Sequence, residues 1–204
     1  MRYFITGIGT GVGKTVVSAI ITEALQADYW KPVQAGDLDY SDTQIVKNLV
    51  SNNGSTFHPE AFKLKNTMSP HAAAALEGIE IIPEEIIIPG TENDLVIEGA
   101  GGVMVPLNSR QTMLDLMLLT DAEIVLVSLN YLGSINHTLL SWQILEVHNL
   151  RIKGIIFNGE ENREGENFIL RHTGLPMLLR INQEQVLTRE LIRQYAALIK
   201  ENLK

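Results

Sequence analysis

Residues 7–15 read Gly-Ile-Gly-Thr-Gly-Val-Gly-Lys-Thr, between an apolar run at 3–5 and a stretch at 15–25 whose periodicity predicts a helix. Glycines in such a loop let successive backbone N–H groups turn toward an anion at a helix N-terminus. A strand, this loop and a helix, in that order, are the context that a phosphate-binding loop requires. The loop is one residue longer than the usual pattern, because its first glycine is Gly7 and residue 8 is isoleucine. We predict a nucleotide site here, with Lys14 on the β- and γ-phosphates and Thr15 on Mg²⁺.

Strand-like and helix-like segments alternate along the rest of the chain. The apolar runs 94–98 and 123–129 suit strands that are buried on both faces of a sheet. This alternation predicts an α/β fold, with a doubly wound, mostly parallel sheet and helices on both faces, in one domain spanning residues 1–204. The other predicted strands are 29–33, 152–157 and 177–181, and the other predicted helices are 41–50, 69–76, 134–148, 164–172 and 188–203.

The composition excludes several classes of protein. The formal net charge is −8 and the pI is about 5.1, so the surface repels phosphate backbones and nucleic acid is not expected as a partner. The absence of cysteine excludes disulfides, thiol nucleophiles and thiolate metal sites. No uncharged apolar run approaches the ~20 residues of a membrane helix, and the N-terminus runs directly into the glycine loop without a signal peptide. We therefore expect a cytoplasmic protein that does not bind membranes.

A metal ion beside a bound triphosphate needs carboxylate ligands. Glu98 ends a predicted strand and enters Gly-Ala-Gly-Gly, at the carboxyl edge where open α/β sheets bind ligands. Asp42 lies at the expected start of a helix, where an aspartate is also an ordinary cap. Because Asp37 and Asp39 share the same loop, spacing alone does not choose among the three aspartates.

A second lysine, Lys31, lies near the end of the predicted strand 29–33, beside the phosphate loop in this topology. A lysine there could neutralise the charge that develops during phosphoryl transfer. A solvated lysine at a strand end explains the position equally well. The five histidines show no metal-ligand spacing, so a zinc site is not expected.

Six short motifs follow one another along the chain. They are Thr-Gly at 6–7 with Thr-Gly-Val-Gly-Lys-Thr at 10–15, Lys-Pro-Val at 31–33, Ser-Asp at 41–42, Ser-Pro-His at 69–71, Glu-Gly-Ala-Gly-Gly at 98–102, and Leu-Gly-Ser-Ile-Asn-His at 132–137. Together they resemble the dethiobiotin synthetase family, over about the first 160 residues. The second, fifth and sixth motifs in combination are far more specific than a phosphate loop alone.

The resemblance implies a reaction in which 7,8-diaminononanoate, CO₂ and ATP give dethiobiotin, ADP and phosphate, with Mg²⁺ required. One amine takes up CO₂ as a carbamate, ATP converts the carbamate to a carbamic–phosphoric anhydride, and the second amine closes a cyclic urea. The protein contributes positioning and electrostatic stabilisation to such a reaction. The resemblance also implies a homodimer that holds the tail carboxylate of the substrate across its interface.

The resemblance assigns roles to the matching residues. The implied Mg²⁺ ligands are Thr15, Asp42 and Glu98. The implied catalytic groups, which act on the carbamate and the transferring phosphoryl group, are Lys14, Lys31 and Thr10. The implied nucleotide contacts are Gly11, Val12, Gly13, Lys14, Thr15, Val16, Asp42, Glu98, Gly101 and, at the base, Asn158. The implied substrate contacts are Lys31, Ala35, Gly101 and, from the neighbouring subunit, Asn136, near a helix start whose free N–H groups suit a carboxylate.

Three positions depart from the family pattern. Ala35 stands where serine or threonine is common, Gly9 lacks a frequent acidic side chain, and Leu-Arg-Ile-Asn at 179–182 replaces an Ile-Pro-type loop. The alternative function is that of a regulatory or partitioning ATPase, which uses its nucleotide as a switch. Many such proteins carry an additional lysine early in the loop, which residues 7–9 lack, and a membrane-targeting tail, which 194–204 does not resemble.

Overall fold

The computed structural model describes residues 1–203, which form nine strands and seven α-helices. The strands are β1 (Arg2–Gly7), β2 (Asp28–Trp30), β3 (Val33–Ala35), β4 (Phe57–His58), β5 (Phe62–Leu64), β6 (Leu95–Gly102), β7 (Glu123–Leu129), β8 (Ile152–Asn158) and β9 (Met177–Ile181). The helices are α1 (Lys14–Leu25), α2 (Asp42–Leu49), α3 (Pro70–Leu76), α4 (Met113–Thr120), α5 (Ser134–Val147), α6 (Arg163–Thr173) and α7 (Arg189–Ile199). Within 1–203, no helix is both long and apolar enough to cross a membrane.

Seven strands form one sheet in the order β4-β2-β6-β1-β7-β8-β9, and every pairing in it is parallel. The strand β1 lies at the centre, between β6 and β7. The chain leaves β1 toward β2 on one side and later crosses from β6 to β7 on the other, which is the kind of reversal where open α/β sheets bind ligands. The prediction of a doubly wound parallel sheet is confirmed.

Alternate side chains of the central strands enter the cores on the two faces of the sheet, as the twofold period of a strand requires. In β1, Tyr3 and Ile5 pack into the core under α1, α2 and α7, whereas Phe4 packs into the opposite core with residues of α3 and α4. A third apolar cluster lies under α5 and α6, on the same side as α3 and α4. Both faces of β1 are therefore covered, which fixes the loop at its carboxyl end.

The predicted strand 29–33 is wrong as one continuous element. The strand β2 ends at Trp30, and β3 begins at Val33 and pairs with β5 in a separate two-stranded sheet. Pro32 lacks the N–H that would continue the first ladder, and its carbonyl instead accepts from the Phe62 N–H at 3.0 Å. The break leaves Lys31 between two sheets, where its side chain points into the space between them and the phosphate loop.

Four elements differ from or add to the sequence-based prediction. The helix α4 and the strands β4 and β5 were not predicted, because β4 and β5 have only two and three residues and α4 is apolar on most of its surface. The predicted helix 188–203 ends earlier, since α7 stops at Ile199 and a 3-10 helix covers Lys200–Asn202.

Candidate active site

The phosphate loop connects β1 to α1 and presses against the end of β8. Gly13 has φ of 98°, a left-handed conformation that favours glycine, and a Cβ there would lie 2.3 Å from Asn158 Nδ2. The same Nδ2 donates to the Val12 carbonyl at 2.9 Å, and Asn158 Oδ1 accepts from the Gly159 N–H at 2.9 Å. The asparagine side chain thus joins the loop to the carboxyl end of β8.

The Lys14 side chain folds back over the phosphate loop, into the place where a phosphate would bind. Its ammonium donates to the Gly9 carbonyl at 2.9 Å, and the residue is buried. Burial lowers the pKa of Lys14 to about 8, with the Glu98 carboxylate opposing the shift and the Lys31 ammonium adding to it. A bound phosphate would supply the missing negative charge at this point.

Two carboxylates converge on the first turn of α1. The Thr15 hydroxyl lies 2.9 Å from Glu98 Oε1 and 3.2 Å from Asp42 Oδ1, so its single proton can go to either oxygen. Hydroxyl and carboxylate oxygens of this kind are the ligands that Mg²⁺ prefers. Three hard oxygens from three separate elements therefore meet next to the phosphate loop, and the group fits a magnesium ion.

Lys31 is held between the same two carboxylates. Its Nζ lies 2.6 Å from Asp42 Oδ2 and 3.0 Å from Glu98 Oε1, and the residue is 4% exposed. Burial alone would lower the pKa of Lys31, but the Glu98 and Asp42 charges outweigh it and raise the pKa above its usual range. The alternative of a solvated strand-end lysine is wrong: this is a buried, charged side chain. Among the three aspartates left open by spacing, Asp42 is the one that reaches the group.

Two further residues orient this cluster, and the sequence analysis missed both. The Tyr29 hydroxyl donates to Glu98 Oε2 at 2.9 Å, and Gln34 Oε1 accepts from the Asp42 N–H at 3.3 Å. Tyr29 and Lys31 are two residues apart along an extended segment, so they point to the same side. That spacing is the signal that could have identified Tyr29. The N-terminus of α2 is also fixed by a capping box, in which Ser41 and Gln44 bond reciprocally.

A cleft of about 660 Å³ lies in front of the cluster. Most residues to which the sequence assigned a role line this cleft: Thr10, Gly11, Gly13, Lys14, Thr15, Val16, Lys31, Ala35, Asp42, Glu98 and Gly101. The other lining residues are Val33, Gln34, Asp37, Ile45, Thr67, Met68, Ser69, Pro70, Ala100, Val105 and Leu187. Val12, in contrast, does not line the cleft: its side chain is buried, and its carbonyl accepts from Asn158 Nδ2.

Next to the cleft, the end of β6 packs backbone against backbone with the phosphate loop. The strand β6 continues beyond Glu98 through four residues, 99–102, of which three are glycine, and its end lies against the phosphate loop. A Cβ at Gly102 would lie 3.3 Å from the Gly7 carbonyl oxygen and 3.5 Å from the Gly9 nitrogen. Two glycine-rich segments thus run side by side with almost no side chain between them.

Known proteins resemble this chain over nearly its whole length. A family model described as an AAA domain matches residues 1–191. The ATP-dependent dethiobiotin synthetase BioD of Cytophaga hutchinsonii is 54% identical over 202 residues, which cover 98% of this chain and 98% of that protein. The protein of the same name from Christiangramia forsetii is 51% identical, covering 98% and 97%, and that from Chlamydia abortus is 42% identical, covering 100% and 97%. This chain belongs to the dethiobiotin synthetase family.

Solved structures of partition and cell-division ATPases share the fold of this dethiobiotin synthetase family member. The cell division ATPase MinD of Pyrococcus furiosus has a TM-score of 0.63 at 15% identity, with 98% of each chain covered. A ParA family ATPase from Chlorobium tepidum has a TM-score of 0.57 at 13% identity, covering 99% of this chain and 96% of its own. At such identities the likeness shows the architecture alone.

Besides Val12, two residues implied by the dethiobiotin synthetase resemblance lie outside the cleft. Asn158 is half-buried behind the phosphate loop, as described above. Asn136 is exposed on the first turn of α5 and lines a separate hollow of about 740 Å³, with Tyr131 and Leu132 on one side and Glu160 on the other. The fold does not bring Asn136 to the lysines of its own chain.

The departure at 179–182 has a clear structural role in this family member. Arg180, on β9, donates from two guanidinium nitrogens to the Gly159 carbonyl, each at 3.1 Å, and pairs with the Glu166 carboxylate at 3.4 Å. The Glu166 carboxylate also accepts from Asn130 Nδ2 at 2.5 Å. A largely buried ion pair therefore fixes the turn that directly follows Asn158.

Proposed function

We propose that this protein is a dethiobiotin synthetase, a cyclo-ligase that uses ATP and Mg²⁺ to convert 7,8-diaminononanoate and CO₂ to dethiobiotin, with ADP and phosphate as the other products. The observation that carries the proposal is the convergence of Lys31, Asp42 and Glu98 on the phosphate loop, in a chain that is 54% identical to a protein of that name.

The chemistry needs charge stabilisation rather than a protein nucleophile. One substrate amine attacks CO₂, an N–C bond forms, and the nitrogen loses a proton. A carbamate oxygen then attacks the γ-phosphorus while the bond to the ADP oxygen breaks. The second nitrogen, which must first give up its ammonium proton to water, attacks the carbonyl carbon and loses a further proton as the N–C bond forms, and phosphate leaves with the electrons of the broken C–O bond. Lys14 and Lys31, both lining the cleft, would neutralise the carbamate and the phosphoryl oxygens, and Thr10 at the mouth would donate a hydrogen bond to the carbamate.

Thr15, Asp42 and Glu98 would hold the magnesium ion. Bound Mg²⁺ neutralises charge on the phosphate oxygens. Tyr29 and the capped start of α2 keep the two carboxylates oriented. The phosphates would bind the N–H groups of residues 11–16 and contact Gly101, and Asn158, anchored to Val12, would contact the base through its remaining amide hydrogen and lone pair.

The proposal includes a homodimer. Asn136 faces away from its own cleft, near the start of α5, and Leu132 and Leu140 expose apolar side chains around it. A second copy would cover this surface, and its Asn136, with the free N–H groups at the start of α5, would bind the tail carboxylate of the substrate. Ala35 would contact the substrate through its methyl group only. We further propose a cytoplasmic location, with no nucleic acid or membrane as partner.

Phosphate release from MgATP, with bicarbonate present, tests the function when measured with and without 7,8-diaminononanoate. We expect release that depends on the diamine, with an equal amount of dethiobiotin identified by mass spectrometry. Lys31→Ala should abolish both signals. Lys63→Ala is the matched control, because Lys63 pairs with Glu60 at 3.2 Å but its side chain is 58% exposed.

Two results of this assay would change the proposed function or the proposed nucleotide. Steady ATP hydrolysis that ignores the diamine would point to the switch ATPase, which the 42–54% identity to dethiobiotin synthetases does not favour. Turnover with GTP but not with ATP would keep the ligase and replace the nucleotide.

A further inference from the structure

Three carboxylates line the cleft, and their situations differ. Asp42 and Glu98 are occupied by Lys31 and Thr15. The Asp37 carboxylate, in contrast, makes no hydrogen bond or ion pair with any part of the chain that the structure describes. It is the one acidic side chain of the lining that remains available to a ligand.

The backbone of Asp37 is held in place although its side chain is free. Its φ is 52°, and its carbonyl accepts from the Tyr40 N–H at 3.0 Å. The preceding residue, Gly36, donates its N–H to the Leu64 carbonyl at 2.8 Å and accepts from Gln34 Nε2 at 2.9 Å. The carboxylate is therefore carried by a turn anchored to both the small sheet and the residue that supports Asp42.

The charges of the cleft are arranged in two zones. Lys14 and Lys31, at the inner end, are positive, and Asp37 lies at the mouth, in the segment that begins with Ala35. A substrate that carries an anionic carbamate on one nitrogen and a positive charge on the neighbouring one matches this order. Aliphatic amines have pKa values of about 10, so a free amine of the substrate arrives as an ammonium.

We propose that the Asp37 carboxylate binds the positively charged nitrogen of the diamine substrate. The inference rests on the proposed function and adds a specificity-determining residue to it. Asp37 supplies an anionic contact at the wall where Ala35 provides no hydroxyl. It discriminates in favour of a diamine over an amine-free acid of the same length, because an ammonium gains a charge-assisted hydrogen bond there.

The Asp37→Asn variant isolates this charge. Asparagine adopts the left-handed backbone conformation as readily as aspartate does, so the turn is retained. We expect the KM for 7,8-diaminononanoate to rise about tenfold, which corresponds to about 1.4 kcal/mol, with the KM for ATP unchanged. The increase should shrink as salt is added, since the pair is partly exposed.

Asp39→Asn is the matched control. Asp39 lies two residues further on, in the 3-10 helix Leu38–Tyr40, is exposed, and does not line the cleft. Its KM for the diamine should stay within about twofold of the wild-type value. A wild-type KM for the diamine in Asp37→Asn, or an equal rise in Asp39→Asn, would overturn the inference and leave the ligase intact. A wild-type protein without any diamine-dependent phosphate release would instead overturn the proposed function, and this inference with it.

Discussion

Replacing Lys31 by methionine tests the ion cluster directly. The change removes the positive charge that lies 2.6 Å from Asp42 and 3.0 Å from Glu98, and keeps an unbranched apolar side chain in its place. Removing one partner of a buried ion pair costs about 3–5 kcal/mol, because the other charge is left uncompensated. Tyr29 and Thr15 still donate to Glu98, and the Asp42 side chain is 28% exposed. We therefore expect the lower limit, about 3 kcal/mol.

The assay is urea unfolding, first with a chelator and then with Mg²⁺. In the variant, the two free carboxylates should bind the ion without displacing a lysine. A ligand at about a hundredfold its dissociation constant stabilises the folded state by about 2.7 kcal/mol. Mg²⁺ should therefore restore most of the stability of Lys31→Met and stabilise the wild-type protein much less, because there Lys31 competes for the same oxygens.

The control is Arg151→Met. Arg151 lies 2.9 Å from Asp121 at the amino end of the sheet, and the two side chains are 62% and 80% exposed. This loss should cost less than about 1 kcal/mol and should not respond to Mg²⁺. Equal stabilisation of Lys31→Met and wild type by Mg²⁺ would refute the reasoning, since the ion would then not bind at the carboxylates that hold Lys31.

Three other predictions follow from single contacts. Gly13→Ala would place a methyl carbon 2.3 Å from Asn158 Nδ2, so calorimetry should show ATP affinity at least about tenfold weaker, the loss that 1.4 kcal/mol of strain produces. Burial would raise the pKa of Asp28, but hydrogen bonds from neighbouring groups outweigh it and lower the pKa to about 2, below the unfolded value near 3.9. Its stabilising effect is thus complete above about pH 4 and lost as the pH falls through 2, and Asp28→Asn should be less stable by about 2 kcal/mol at pH 7, with the gap closing in acid. Arg180→Met should unfold more readily by about 3 kcal/mol, because Glu166 stays buried without its partner, and should also bind ATP less tightly.

Each of these has an internal control. Gly174 also has a positive φ, 69°, but a Cβ there would meet nothing within 4 Å, so Gly174→Ala should leave ATP affinity unchanged. Asp121 and Arg163 form exposed ion pairs, and replacing either should leave the free energy of unfolding nearly unchanged. A pH-independent gap for Asp28→Asn, or ATP affinities equal to wild type for the other two variants, would contradict the assigned contacts.

The parts of the fold that sequence could predict are those determined locally. The conformation of the glycine loop between β1 and α1 is determined by its own residues. The apolar runs of β6, β7 and β8 indicate buried strands even when their partner strands are not known. The two-residue strand β4 and the pair β3–β5 exist only because distant segments meet, and no local period marks them. The strand 29–33 was predicted straight through Pro32, and the second sheet that begins after this proline was not predicted.

In the active site, too, some residues could be predicted from the local sequence and others could not. Lys14 and Thr15 follow from the loop, whereas choosing Asp42 over its neighbours needs the distance from α2 to Lys31. The spacing of Tyr29 and Lys31 places both side chains on one side of the segment, but the partner of Tyr29, Glu98, lies 69 positions further along the chain. Gln34 contacts the backbone of Asp42, eight positions further on, and no local pattern marks it. The role proposed for Asn136 depends on a second copy of the chain, which one copy of the fold does not contain.

The close packing of Gly102 on the phosphate loop has a consequence for how proteins of this design can change. Because a Cβ at Gly102 would lie 3.3 Å from the Gly7 carbonyl oxygen and 3.5 Å from the Gly9 nitrogen, substitutions at this contact would push the two backbones apart. New substrates must be accommodated on the facing wall, by residues 33–37 and 67–70. A library restricted to those two segments, with Gln34 kept because it accepts from the Asp42 N–H, would explore substrate range while leaving the groups around the phosphate loop in place.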